Sequence, residues 1–315
     1  MAKKILYLLG AGASHAEVMN TTKENASEKN GILISHVSSR VMARAFLTKK
    51  LWSKKPLNTI NSKKSDFNIE LLISLLEANR ISESVVKELK KFVEDDIQKI
   101  LSANRREKFY LHKALFELHK KIEEREILLG LISLNYDSVV DEAYLKIFEQ
   151  KPSYYRKYEK EDTGIPILKL HGSFDWEIPI MPIGMNKNYL FPPYNFIWSK
   201  AYDLLTRCDI LRVIGCSLNQ NDLGLVDLLF KIQLNRDKPI EIQIIDFEPT
   251  GEKIKSNYGF LAGLMKPSEF EDHMFAVEAI MKGTGNPFKI WLKEKSQKVL
   301  SEEEIQQSKY LKKCF

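Results

Sequence analysis

Five short apolar runs in this chain stop abruptly at small or polar residues, and that pattern constrains the fold more than any other feature. They are ILYLLGAGASH near the N-terminus, ILLGLISLNYD, IPILKLHGS, DILRVIGC and IEIQIIDF. Runs of this length, rich in β-branched residues and bounded by glycine or polar groups, read as buried strands. Stretches with helical character separate them, at Val139 to Phe148, Trp198 to Thr206 and Leu223 to Ile232. Strands alternating with helices predict an α/β fold: a Rossmann-like, mostly parallel sheet with helices on both faces. Open sheets of this kind bind ligands at the C-terminal ends of their strands. Asn135-Tyr136-Asp137, His171-Gly172, Gly215-Cys216-Ser217 and Asp246 with Glu248 are therefore expected at one crevice. The turn Gly10-Ala11-Gly12-Ala13-Ser14 should reach the same place.

The strand Lys4 to Leu9 and its glycine turn are followed by a helix expected from near Ser14, and then by a long departure from the strand–helix rhythm. Thr21 to Ser65 is polar and irregular. Phe67 to Glu124 has helical periodicity, with Ile69, Leu72, Ile73 and Leu76 on one face and Val85, Val86, Leu89, Phe92 and Val93 on another. Neither glycine nor proline occurs from Asn68 to Arg125. The chain thus divides into a Rossmann-like core (residues 1–20 and 125–283), a helical insertion (21–124) and a C-terminal helical tail (284–315). Further helices are expected at Met274 to Met281 and after Pro287.

A length of 315 residues suits one large domain carrying such an insertion. The net charge of +6 permits nucleic-acid contact without requiring it. Arg40, Arg44, Lys49, Lys50, Lys54, Lys55, Lys63 and Lys64, interleaved with Phe46 and Trp52, lie in a stretch with no acid from Gly31 to Ser65. That stretch, Arg40 to Lys64, reads either as a patch for nucleic acid or an acidic partner, or as a solvated helix face and loop. Cys208, Cys216 and Cys314 are odd in number and form no CxxC pair, which argues against a disulfide framework and a four-cysteine zinc site. Reduced thiols in a cytoplasmic protein are expected. No apolar run approaches the roughly 18 residues of a membrane helix. Lys3, Lys4 and Ala11-Gly12-Ala13 mimic a short signal peptide, but Ile5 to Leu9 is short for its apolar core, and the strand reading is preferred.

Several chemistries fail on residue type. A dinucleotide fingerprint of the dehydrogenase kind requires glycine where His15 stands, and an acid about 20 positions further on that is missing here. Neither a GxSxG nucleophile elbow nor a GxxxxGK[ST] phosphate loop is present. His112 and His119 are seven apart with no acid completing a ligand set, so they read as surface or packing histidines and no metal is expected. What remains is a dinucleotide held by its pyrophosphate at the glycine turn, the bland alternative being a strand–helix turn with no ligand. An amide such as Asn135 can orient water or a ribose hydroxyl, and an imidazole such as His171 can take a proton near neutral pH. Together they suit cleavage of the nicotinamide–ribose bond, which passes through an oxocarbenium-like transition state.

The order of GAGAS, LNYD, KLHGS, IGCSL and IDFEP resembles that found in sirtuin-like proteins, and more closely the NAD-hydrolysing sirtuin-like proteins of bacterial antiphage defence. The similarity covers roughly Lys3 to Ser14 and Ile127 to Pro249. By that resemblance Asn135 and His171 are the catalytic pair. Gly10, Ala11, Gly12, Ala13 and Ser14 contact pyrophosphate and ribose, and Asp137 lies near the nicotinamide amide. Gly215 and Ser217 lie near the adenine ribose, and Asp246 makes a later adenosine-side contact. The two CxxC pairs and the Gly-Ile-Pro-Asp-Phe-Arg stretch of lysine-deacylating sirtuins are missing, and Leu134 stands where the family often has threonine. The resemblance implies an NAD+ glycohydrolase releasing nicotinamide and ADP-ribose, with NAD+ as substrate rather than resident cofactor. It also implies a regulated NAD-depleting effector of abortive infection, a homo-oligomer, and a separately encoded partner such as a HerA-type ATPase or an Argonaute-type protein. The alternatives are a non-enzymatic module that binds NAD or ADP-ribose and nucleates a complex, and a protein-lysine deacylase.

Overall fold

A computed structural model describes residues 2–21, 31–47, 68–80, 82–104, 108–157, 164–174, 180–181, 190–218, 222–236, 238, 240–246, 257–258, 279–280 and 286–315. Its centre is β1 (Lys3–Leu9), joined on one side to β2 (Glu126–Ser133) and then β3 (Ile167–Lys169). On the other side it joins β4 (Ile210–Ile214), β5 (Glu241–Asp246) and β6 (Ala279–Ile280). All five pairings are parallel and the spatial order is β3-β2-β1-β4-β5-β6. This is the order of the doubly wound dinucleotide-binding sheet, in which the direction of winding reverses between β1 and β4.

Alternation along the strands builds two cores. Leu6 and Leu8 of β1, with Leu211, Val213, Ile242 and Ile244, face α7 (Tyr194–Arg207) and α8 (Leu223–Leu234). Ile5, Tyr7 and Leu9 point the other way, toward α5 (Leu111–Lys121), α6 (Val139–Phe148) and α9 (Pro287–Val299). The helix α1 (Ala11–Thr21) leaves β1 directly and buries Ala13 and Ala16 in this second core. A third apolar cluster joins α2 (Ile34–Leu47), α3 (Ile69–Ala78) and α4 (Glu83–Ala103) to Val18, Tyr136 and Val139. Between β1 and β2, then, α2 to α4 sit over the ligand edge of the sheet while α5 covers a face of it. The short helix α10 (Glu302–Gln307) opens on a capping box made by Ser301 and Glu304. No helix among the described residues is long and apolar enough to cross a membrane.

Three elements differ from the sequence reading. Helix α1 begins at Ala11, not near Ser14, so Gly12, Ala13 and Ser14 lie in its first turns. Helix α2 falls within a stretch read as irregular; its buried stripe of Val37, Val41 and Ala45 is small-residued and diluted by serine and arginine. Ala279–Ile280, expected within a helix, adds to the free edge of β5, with Ile245 opposite Ala279 and Asp246 opposite Ile280. The remainder of Met274 to Met281 is outside the described residues. So few apolar residues carry no decisive period, and pairing with the open edge settles the conformation. Strand β3 starts at Ile167 because Pro166 has no N–H to donate to the ladder.

Far from the ligand edge, charge is buried under α5 and α9. Arg212 on β4 donates to both oxygens of Glu126 on β2, at 2.6 and 2.8 Å, and to the Tyr7 hydroxyl at 3.1 Å. Lys295 reaches Glu126 at 2.7 Å and His119 meets the Tyr7 hydroxyl at 2.7 Å. His112 is likewise buried, paired with Glu17 at 2.9 Å, so both histidines pack. Burial pushes the Glu126 carboxyl up, but hydrogen bonds and charge from Arg212 and then Lys295 outweigh it and hold it at about 2. Burial first, and the Arg212 charge second, push His119 down to about 3.

Removing one partner of a buried pair strands the other, which costs about 3–5 kcal/mol. Glu126→Gln should therefore lower the urea midpoint by a corresponding amount, and a wild-type midpoint would refute the role given to the pair. Both Glu126 and His119 bind protons more weakly folded than unfolded. Their stabilisation is complete above the ordinary values of 4.5 and 6.5, and is lost as pH falls through about 2 and about 3. Urea midpoints measured across acid pH should thus decline from near 6.5 downward, with a steeper fall below 4.5.

Candidate functional site

The β1–α1 turn meets the end of β4 at the reversal point, and the approach is backbone on backbone. Gly10 N–H donates to the Ile214 carbonyl and Gly12 N–H to the Gly215 carbonyl, both at 3.0 Å. A Cβ on Gly12 would lie 2.6 Å from Gly215 Cα, and one on Gly10 would lie 2.3 Å from Gly215 O. Gly215 itself adopts φ +62°, and a Cβ there would meet Ala13 N at 2.2 Å. Three glycines are thus required by geometry at one crossing.

The two polar strand ends on the other side of β1 are neighbours. Ser133 of β2 is in register with Lys169 of β3, and Leu170 N–H donates to the Ser133 carbonyl at 3.1 Å. Beyond the strands, Phe174 N–H and the Ser173 hydroxyl both donate to the Tyr136 carbonyl, at 3.0 and 3.3 Å. Beneath them the buried Lys169 ammonium donates to the Asp137 carbonyl at 2.6 Å and pairs with Asp141 at 2.7 Å. The lysine of KLHGS is therefore a clamp holding the LNYD turn on its neighbour.

A cavity of about 340 Å³ opens at this edge, within the size range of small-molecule sites. Of the residues singled out in the sequence, Gly10, Ala11, Gly12, Asn135, His171, Gly215, Ser217 and Asp246 line it. Ala13 and Ser14 are buried behind it in α1, and Asp137 lines a smaller neighbouring cavity of about 50 Å³. Glu248 is outside the described residues. Ser14 and Asp137 instead support Asn135. The Asn135 amide nitrogen donates to the Gly10 carbonyl at 2.9 Å and to the Ser14 hydroxyl at 3.0 Å. That hydroxyl donates onward to Asp137 at 3.1 Å, and Asp137 also accepts from Val139 N–H at 3.0 Å. A carbonyl only accepts, which fixes the amide orientation. Both amide hydrogens are then committed, leaving Oδ1 as the polar group Asn135 can offer a ligand.

Two lining residues carry chemistry that the sequence reading passed over. His171, 1% exposed, faces Asp222 with Nε2 2.9 Å from the carboxylate. Asp222 also caps α8, accepting from Leu225 N–H. Glu70 comes from α3 and lines both cavities. Each sits in the first turn of a helix or just before it, where an acid is ordinary, so neither stood out. An Asp immediately before the apolar run from Leu223, after a strand end already on the ligand edge, was the available signal. The described lining of the larger cavity holds three carboxylates, Glu70, Asp222 and Asp246, and no lysine or arginine. The opposite polarity comes from the N-terminus of α1, where Ala11 and Gly12 meet the cavity.

Of the basic stretch, Arg40 pairs with Asp96 at 2.7 Å, and Arg44 pairs with Asp95 at 3.0 Å and lies over the Phe92 ring. Lys49, Lys50, Trp52, Lys54, Lys55, Lys63 and Lys64 are outside the described residues. Among the described residues no group of three His, Cys, Asp or Glu is placed to hold a metal.

Gly215→Ala places a side chain at positive φ against the start of α1, and should destabilise the protein by more than about 1 kcal/mol. Thermal unfolding measures this directly, and an unchanged midpoint would contradict the crossing described here.

No protein-family model matches this chain, and no curated protein matches it. Solved structures similar to it include a Sir2 enzyme from a study of Sir2 mechanism and regulation. It is 15% identical, covering 84% of this chain and 94% of that chain, with a TM-score of 0.35. A Sir2 homologue in complex with NAD is 14% identical, covering 84% of this chain and 90% of that chain, with a TM-score of 0.37. A variant Sir2 homologue in complex with ADP-ribose is 13% identical, covering 96% of each chain, with a TM-score of 0.37.

Proposed function

We propose that this protein is an NAD+ glycohydrolase, releasing nicotinamide and ADP-ribose. The observation that carries the reading is the convergence of Asn135 and His171 on one cavity with the glycine crossing, at the reversal point of the sheet. The polarity of the cavity supports it. NAD+ has an anionic pyrophosphate, suited to the start of α1, and a cationic nicotinamide end, suited to a lining of carboxylates.

The chemistry then follows from the atoms on hand. Asn135 Oδ1 accepts a hydrogen bond from a ribose hydroxyl or the attacking water, and holds it in place. The His171 imidazole, whose Nε2 lies 2.9 Å from the Asp222 carboxylate, is the base. Asp222 fixes the ring and stabilises the imidazolium formed when His171 takes a proton, a positioning role of the kind familiar from catalytic triads. Breaking the C1′–N bond returns its electron pair to nicotinamide, and water adds to C1′ with loss of one proton.

Constitutive NAD+ cleavage would be toxic, so the reading includes control. The protein acts in the cytoplasm as a regulated effector of antiphage defence, as a homo-oligomer with a separately encoded partner. That part rests on the motif resemblance alone.

Incubation of the protein with NAD+, alone and with candidate partners, and chromatography of the products tests the activity. Nicotinamide and ADP-ribose should appear in equal amounts. Asn135→Ala and His171→Ala should each reduce the rate about 100-fold or more, while NAD+ binding by calorimetry persists. Binding without cleavage under every condition would favour the non-enzymatic module, and release of acyl groups from an acyl-lysine peptide would favour deacylation. Asp222→Asn should lower kcat by at least about tenfold while leaving KM near its wild-type value; an unchanged kcat removes its positioning role.

A further inference from the structure

Glu70 reaches the site from outside the Rossmann-like sheet. It occupies the first turn of α3, where Asn68 caps the helix by accepting from Glu70 N–H at 2.9 Å and Leu71 N–H at 3.2 Å. The preceding turn is anchored by Ile69 N–H, which donates to the Ser38 hydroxyl at 3.0 Å. Ile69, Leu72, Ile73 and Leu76 of the same helix are buried among α2, α4 and Tyr136. The backbone carrying Glu70 is therefore rigid. Its side chain belongs to a residue only 8% exposed, and it lines both cavities together with Ala11, Ile34, Leu134 and Asn135. Glu70 thus borders both cavities, on the Asn135 side of the crossing. The Tyr136 phenol is pushed well above its usual range, by burial first and by the neighbouring Glu70 charge second.

The other acids are differently employed. Asp222 faces His171 and caps α8. Asp137 accepts from Ser14 and Val139 and does not line the larger cavity. Asp246 ends β5, which is separated from β2 by β1 and β4. Of the three acids lining the larger cavity, Glu70 is the one that also lines the smaller cavity with Asn135.

We propose that Glu70 is a catalytic residue of this site, its carboxylate stabilising the positive charge that develops on the ribose as the nicotinamide bond breaks. The assignment rests on the NAD+-cleaving reading. As the C1′–N bond lengthens, its electron pair leaves with nicotinamide, and charge builds on C1′ and the ring oxygen. A fixed carboxylate beside that centre binds the transition state more tightly than the substrate, because the charge moves from the departing pyridinium onto the sugar. Water oxygen then bonds to C1′ and its proton passes to His171. The helical segment between β1 and β2 thereby supplies an acid that completes the site.

The test compares wild-type protein with Glu70→Gln, a substitution that preserves shape while removing charge. Two rates are read with NAD+: hydrolysis, and exchange of labelled free nicotinamide into NAD+, which requires bond cleavage without water attack. Both should fall about 100-fold in kcat, with a much smaller loss of NAD+ affinity by calorimetry. Glu70→Asp, which keeps the charge but withdraws it by one methylene, should fall about tenfold in kcat and leave KM unchanged; it also serves if the glutamine variant does not fold. Wild-type rates in the variants overturn the assignment. So does loss of hydrolysis with exchange intact, which would make Glu70 a group acting on water, and so does loss of NAD+ binding alone. Absence of nicotinamide release from wild-type protein would instead remove the reaction itself, and His171→Ala run alongside distinguishes the two failures.

Discussion

The close approach of two backbones, Gly10 to Gly12 against Gly215, is the constraint on which the rest of this structure depends. At the point where the sheet reverses its winding, two turns must share space that side chains would fill. Glycine at three positions permits hydrogen bonds from Gly10 to Ile214 and from Gly12 to Gly215, and these tie β1 and α1 to β4. The same contact sets the start of α1 at Ala11 and so directs its positive end into the cavity. It also presents the Gly10 carbonyl to Asn135, whose amide orientation follows from that bond. One steric requirement thereby positions both the start of α1 and the Asn135 amide at the cavity.

The reacting end is secured by a second layer of contacts that carry no chemistry of their own. Lys169, Ser173 and Phe174 hold the LNYD turn against the strand that delivers His171. Ser14 and Asp137 relay hydrogen bonds to Asn135 from behind. Asp222 holds His171 from the far side while capping α8. Residues that look like ligand contacts in a motif are here partly its scaffolding, and the cavity surface is made of fewer of them plus Glu70 and Asp222. The charged cluster around Arg212 and Glu126, at the other end of the strands, stabilises the sheet without touching this edge.

Elements that repeat a physical period were legible in the chain. The apolar runs of β1, β2, β4 and β5 and the faces of α3, α4, α6 and α8 fall where periodicity put them, because burial on both faces of a parallel sheet leaves an unmistakable apolar run. What was not legible depends on tertiary contact. The start of α1 is set by Gly215, a residue two hundred positions away in the chain. The strand Ala279–Ile280 exists because β5 has an open edge. Glu70 enters the site because the third apolar cluster seats α3 over the LNYD turn, and nothing local in the periodicity from Asn68 to Leu76 announces that destination. Asp222 is hidden differently: an acid just before a helix is ordinary in any sequence, and its approach to His171 exists only in the folded chain.

The proposed chemistry requires that this cavity hold the dinucleotide in the orientation its polarity implies. A crystal structure of the His171→Ala protein soaked with NAD+ measures that most directly. The pyrophosphate should lie against Ala11 and Gly12 at the start of α1, with the nicotinamide ribose between Asn135 and Glu70 and the adenosine toward Ser217 and Asp246. A dinucleotide bound at another surface, or bound here in the reverse orientation, would contradict the account.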